Sequence, residues 1–431
     1  MPFTIAAPSC RRAPLCARPL LAVLILASAP AYAQEAPVTL DAALQAATDH
    51  SAAMGAAQAS VRASSEASVR AGQLPDPTLK AGIDNLPVTG QQKFTIGQDF
   101  MTMRRIGIEQ EWVSGDKRRL RSALANDVVD RERAGYLAQL ANTRQQTATA
   151  WLKAIYARKA VSLQQELVHH MTHELDATKA SYRGAKATAA DVTQAQAMLA
   201  QTQDQMLKAQ ETLQTALIGL SRWTATPVSD VSGEPPAPQS YVSSLPPEEL
   251  REVQPVLVAA SRDIEVADAD TAVANSNRSP NWTWEIAYQQ RGGAYSNMVS
   301  IGVSIPLPIN RKNRQDRDAS EKAELATKAR LMYEDAQRQV EADIRSQSAT
   351  LASGRERITN LSSSLLPAAD QRVQLAAASY RAGTGSLADT FAARRAQLDA
   401  ELQVLDLQRD VSQTWAQLEY QVVPASMSVG Q

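Results

Sequence analysis

The sequence predicts a mainly α-helical chain with a small membrane-facing β part, built from one structural unit used twice. Three features predict it: proline-free stretches, short segments alternating apolar and polar residues, and a turn motif that occurs in both halves. No proline lies between Pro87 and Pro227, and only Pro367 lies between Pro308 and Pro424. Proline breaks helix interiors, so such stretches permit very long helices. Aromatic residues make up 5% and phenylalanine occurs four times, too little to supply a large globular core. Alanine and glutamine abound instead, as in long helices that pack closely.

The first helical and strand elements follow an export signal. Arg11, Arg12 and Arg18 precede an apolar run from Leu20 to Ala27, and Ala31-Tyr32-Ala33 follows. A basic segment, a short apolar core and a small-residue triplet make a secretory signal peptide over residues 1–33, with cleavage leaving Gln34 first. The run is far short of the roughly 20 residues a membrane helix needs. Both cysteines, Cys10 and Cys16, fall inside the signal peptide, so the exported chain is expected to have no disulfide, thiolate metal site or cysteine nucleophile. The removed charges are all basic, and a chain without basic excess does not point to nucleic acid.

One unit is read over 34–223 and again over 248–422, joined by a Pro/Ser-rich linker at 224–247 and followed by a short tail, 423–431. Ala180-Ser181-Tyr182-Arg183 and Ala190-Asp191 recur as Ala378-Ser379-Tyr380-Arg381 and Ala388-Asp389. Ile106-Gly107-Ile108 with Lys117 and Arg119 lines up with Ile301-Gly302-Val303, Lys312 and Arg314. Matches in the same order indicate an internal duplication. Each half reads helix, two strands, very long helix, tight turn, second helix. The long helices are expected from about Asp116 to Arg183 and from about Asn313 to Arg381, with Pro367 kinking or restarting the latter. At about 1.5 Å per residue each spans on the order of 100 Å. Val192, Leu199, Met206, Leu213 and Leu220, spaced by seven, form a coiled-coil seam on the returning helix. Leu398, Leu402, Leu405, Trp415, Leu418 and Val422 are its counterpart.

The strands carry the membrane expectation. Trp282, Trp284, Ile286 and Tyr288 alternate with polar or small residues, as do Val299, Ile301, Val303, Ile305 and Leu307. Gly292-Gly293 between them makes a hairpin. In the first half Leu79, Ala81 and Ile83 alternate, and a less regular partner lies within Phe94 to Val113. Apolar outside and polar inside is the membrane-barrel pattern, and closed barrels start at about eight strands. Four strands per chain would leave unpaired backbone in lipid, so several copies must share one barrel. Three copies give twelve strands and a lumen.

Together these residues resemble the TolC-type outer-membrane efflux family, over about Thr39 to Val422. The resemblance rests on the paired Tyr-Arg…Asp turns, the Gly115-Asp116-Lys117-Arg118 segment and the internal repeat; it is greatest to the outer components of heavy-metal cation exporters. It implies a homotrimer with a twelve-stranded barrel in outer-membrane lipid and a helical tunnel in the periplasm, joined to an inner-membrane RND-type pump through a periplasmic adaptor. It also implies that Tyr182, Arg183, Asp191, Tyr380, Arg381, Gly383 and Asp389 form the periplasmic tip, where the tunnel closes and the adaptor docks. Asp191 and Asp389 would then ring a narrow mouth with carboxylates, which attracts cations. Ala185 stands where the second turn has Gly383, so the two turns are expected to differ in shape.

Other clusters are weaker. His169, His170 and His173 are candidate metal residues, because imidazole suits copper, zinc and nickel and the first and last share a helix face. Trp282, Trp284 and Tyr288 could form an interfacial aromatic belt. No phosphate loop, G-x-S-x-G or H-E-x-x-H occurs, and no cofactor or enzymatic activity is expected. The sequence thus predicts a passive exit duct, with metal cations as cargo. Organic compounds are the alternative cargo, and a soluble periplasmic coiled-coil scaffold the alternative class.

Overall fold

Long helices dominate because their stretches are unbroken and several of their first turns are capped by side chains. The computed structural model describes residues 37–423; the signal peptide expected over 1–33 and residues 424–431 lie outside the described residues. Helix α1 (Leu40–His50) is capped by Thr39 and α2 (Ala52–Ala71) by Ser51, each side chain accepting from a backbone N–H of the first turn. After two strands, Ser114 caps α3 (Gly115–Arg183), a single helix of 69 residues. It returns as α4 (Ala189–Thr224). The second half runs α5 (Pro247–Val253), α6 (Pro255–Ser276), two strands, α7 (Gln315–Asn360), α8 (Leu366–Arg381) and α9 (Leu387–Glu419).

Between α7 and α8 the chain makes one π-helical turn, Leu361–Leu365, with the Leu366 N–H bonded to the Leu361 carbonyl. Pro367 has no N–H and its ring would press on the Ser363 carbonyl in a regular α-helix. Widening the preceding turn removes that clash. The expected interruption is therefore a local bulge in one continuous rod.

The core holds the middle of the rods together. Trp151, Leu152, Leu220, Leu257, Val411, Trp415 and Leu418 pack there from α3, α4, α6 and α9. Burying each large apolar side chain contributes about 1.5–3 kcal/mol. Both tryptophans also bind backbone: Trp151 Nε1 donates to the Val38 carbonyl and Trp415 Nε1 to the Gln239 carbonyl, each at 2.9 Å. The Pro/Ser-rich segment 225–246 is packed rather than loose, since Val228, Val231 and Val242 enter this core and Val231 bridges Val38 in parallel.

The four strands β1 (Thr78–Asp84), β2 (Met103–Trp112), β3 (Trp282–Gln290) and β4 (Met298–Ser304) form one antiparallel sheet in chain order. The two halves meet at its centre, where β2 pairs with β3 from Arg104↔Gln290 to Trp112↔Trp282. β4 stops at Ser304, short of the expected Leu307, because Pro306 cannot donate to a ladder. β1 and β4 each keep one edge without a strand partner among the described residues.

Candidate functional site

Register decides what each sheet face presents. Leu79, Ile108, Ile286 and Ile301 lie in one cross-strand row, and Ala81, Ile106, Tyr288 and Val299 in the next. The larger of these side chains are exposed, Ile301 at 76%. An exposed apolar band of this regularity is not tolerated in water and matches the outer face of a barrel strand. Trp112 and Trp282, paired at the helix-proximal end, stand with ring centroids 6.0 Å apart. Trp112, beside Trp282 of the expected aromatic belt, went unnoticed because its strand was the least regular in sequence. No helix among the described residues is long and apolar enough to cross a membrane.

The reverse face is charged. Lys80 pairs with Glu109 and, at 3.3 Å, with Glu285; Arg105 reaches Asp84 and Glu285, both at 3.3 Å. This network ties β1, β2 and β3 through their inward side chains. Sequence reading missed it, although all five residues occupy the polar phase of the alternation. Directly below, Lys117 in the first turn of α3 is buried and donates to the Ser279 carbonyl and, at 2.8 Å, to Asn281 Oδ1. Asn281 in turn donates to Glu111 at 2.7 Å. Burial, then the charge of Arg121, lowers the Lys117 pKa. The lysine fastens the first-half helix to the second-half strand entry.

The far ends of the helical hairpins hold the expected tip residues. Asp191 is the third residue of α4 and Asp389 of α9. Each closes a capping box: Thr188 Oγ1 accepts from the Asp191 N–H while Asp191 accepts from the Thr188 N–H, and Ser386 and Asp389 do the same. Hydrogen bonds from Thr188 lower the Asp191 pKa, and those from Ser386 lower that of Asp389. Asp389 is exposed and Asp191 half-buried; both stay ionised, so the caps fix their direction without neutralising them. The Thr-x-x-Asp and Ser-x-x-Asp spacing was the available signal. Arg183 and Arg381 do not meet these aspartates. Their Nε atoms donate back to the Lys179 and Ala377 carbonyls, at 3.4 and 3.2 Å, where cations complement a helix end.

Contrary to expectation, the two turns have the same backbone. Ala185 N–H donates to the Tyr182 carbonyl and Lys186 N–H to that of Ser181; Gly383 and Thr384 repeat this with Tyr380 and Ser379. Both pivots are left-handed, Ala185 at φ 57° and Gly383 at φ 75°. The hydrogen-bond frame overrides the steric preference of alanine. The tyrosines differ more: Tyr182 is exposed, whereas Tyr380 packs on a core of Leu167, Met171, Leu175, Ala195, Leu387, Phe391 and Leu398.

That core leaves the histidines on other faces of α3. His169 and His173 face each other in solvent, and His170 turns to Glu166, 3.8 Å away. Across a small cavity from His170 lies Glu401 of α9, whose pKa is raised by burial and then by the charges of Glu166 and Asp370. Among the described residues, no three His, Cys, Asp or Glu side chains converge on one point.

A sheet greasy on one side and charged on the other, carried on two long helical hairpins, defines a channel-type membrane protein. The chain belongs to the outer membrane efflux protein family, which matches residues 43–226 and 247–420. It is 24% identical, over 382 residues, to the cobalt-zinc-cadmium resistance protein CzcC of Cupriavidus metallidurans, covering 87% of this chain and 88% of CzcC. Its fold matches the outer membrane protein VceC of Vibrio cholerae at TM-score 0.74 and 18% identity, over 89% and 95% of the two chains. CusC matches at TM-score 0.72 and 15% identity, over 88% and 91%. The chain is thus a duct-forming efflux protein of TolC-like fold and not an enzyme; this family assignment sets the soluble-scaffold reading aside.

Proposed function

We propose that three copies close a twelve-stranded barrel in the outer membrane, continued through the periplasm by their helices, and that the duct passes metal cations delivered by an inner-membrane RND-type pump through a periplasmic adaptor. The carrying observation is a four-stranded sheet with an exposed apolar face, a charged reverse face and two free edges. Each unpaired backbone group in lipid costs several kcal/mol, so the edges must find strands on other copies. Three copies give the smallest ring here that leaves a lumen lined by the Lys80–Glu285 network.

The tips are the entrance and the adaptor surface in this reading. Asp191 and Asp389 supply capped, ionised carboxylates that draw cations to a narrow mouth; Tyr182, Arg183, Tyr380, Arg381 and Gly383 surround them. Support for cation cargo comes from the name of CzcC and from these carboxylates. The cargo is tested in a deletion strain, with and without the restored gene, by measuring growth and cell metal in cobalt, zinc, cadmium, copper and silver, and growth in organic toxicants. Selective, gene-rescued sensitivity to one or two metals is expected. Sensitivity to organic compounds alone would discard the cation assignment and leave the duct standing.

A further inference from the structure

His169 and His173 are one turn apart on α3, and their rings meet edge to face with centroids 4.4 Å apart. The two Nε2 atoms are 3.2 Å apart and share a hydrogen bond whose direction depends on the tautomer. Metal–imidazole bonds of about 2.0–2.1 Å, meeting at an angle between square and tetrahedral, set two ligand nitrogens about 2.9–3.4 Å apart. The observed separation lies inside that range before any ion arrives. Both residues are exposed, so an ion can enter without rearrangement of the helix.

We propose that His169 and His173 form a two-imidazole chelate for one borderline divalent cation per chain, of the zinc, copper, nickel or cobalt class. Imidazole nitrogen selects these ions over magnesium and calcium, which take oxygen ligands. The ring that donates its Nε2 proton in the shared hydrogen bond binds instead as the other tautomer, with that proton on Nδ1. Both Nε2 lone pairs then face the ion and no net proton leaves. Water completes the coordination, since no third His, Cys, Asp or Glu converges here among the described residues. The site is consequently weak and quickly exchanging. His170 is outside it, turned toward Glu166. The chelate does not depend on what the duct carries; a duct for organic compounds would hold the same pair.

The test uses full-length protein in detergent, with any purification tag free of histidine, and zinc(II) competed against a chromophoric chelator. Wild type should bind one zinc per chain at this site, and His169→Gln or His173→Gln should each weaken it about tenfold or more, while His170→Gln leaves it unchanged. Copper(II) electron paramagnetic resonance should register two ligating nitrogens in wild type and one in either chelate variant. Size-exclusion elution identical to wild type certifies folding of each variant. Zinc affinity unmoved by His169→Gln and His173→Gln, or lost equally with His170→Gln, would overturn the chelate.

Discussion

At the scale of single residues, the helical tips show how backbone and charge compete. Ala185 is held in the left-handed region by the same hydrogen bonds that Gly383 satisfies without strain. Ala185→Gly should therefore slow amide exchange around 181–188, stabilising that turn by roughly 0.5–1 kcal/mol, and Gly383→Ala should speed it around 379–386 by a similar amount. Equal exchange in both variants and wild type would contradict the shared pivot. Glu401 gives a pH prediction. Its folded pKa is raised, so the charged form is the disfavoured one, and the penalty appears as pH rises from the ordinary glutamate range through the folded value. Glu401→Gln should raise the thermal midpoint at pH 7.5 and leave it unchanged near pH 4. The turn residues were legible as a repeated Tyr-Arg…Asp pattern, but the aspartates' use as caps was not extracted from the Thr-x-x-Asp and Ser-x-x-Asp spacing. Phe391 and the inward charges escaped because each becomes meaningful only opposite a residue distant in sequence.

At the scale of elements, close approach of rods is set by small residues. An added Cβ at Gly354 of α7 would collide with Val411 Cγ2 of α9. Gly354→Ala improves helix propensity by about 1 kcal/mol yet should destabilise by roughly 1–3 kcal/mol through overpacking. Adding Val411→Ala should restore much of the loss; thermal melting of the single and double variants separates the two effects. Helix ends were readable because prolines and the repeated turn motif are local signals: α3 was expected from Asp116 to Arg183 and runs from Gly115 to Arg183. β1 and β3 were readable from alternation. β2 was blurred by Arg104 and Arg105 at its outer end and by Gln110 in an otherwise apolar row. The contribution of Val228, Val231 and Val242 to the core could not be seen in a segment that composition alone marks as irregular.

At the scale of the whole molecule, the sheet faces predict opposite responses at adjacent positions. Ile301→Arg puts a charge on the lipid face and should cost about 2–4 kcal/mol near mid-membrane, lowering the yield of detergent-stable oligomer. Ser300→Arg, pointing to the reverse face, should leave oligomer yield intact and change ion selectivity in planar bilayers. Equal assembly of both variants would mean that the faces are assigned the wrong way round. The sheet's two-faced character was the most legible global feature, because alternation is written into each strand; that four such strands cannot enclose a lumen by themselves is what makes oligomer formation the expectation to test. Cargo was the least legible, because a duct needs few contacts with what passes through it.

The order of the strands also fixes the symmetry that copies of this chain can adopt. β1 and β4 run in opposite directions, so β4 of one copy laid against β1 of the next continues the antiparallel pattern and keeps every helix on the same side of the membrane. Pairing β4 with another β4 would need a twofold axis that turns the second copy's helices to the wrong side. Only a head-to-tail ring about a rotation axis remains, with strands in multiples of four. In such a ring each edge has one acceptable neighbour and no substitute. A copy with one blocked edge would therefore break every ring it joins, and a single defective allele would act dominantly over an intact one.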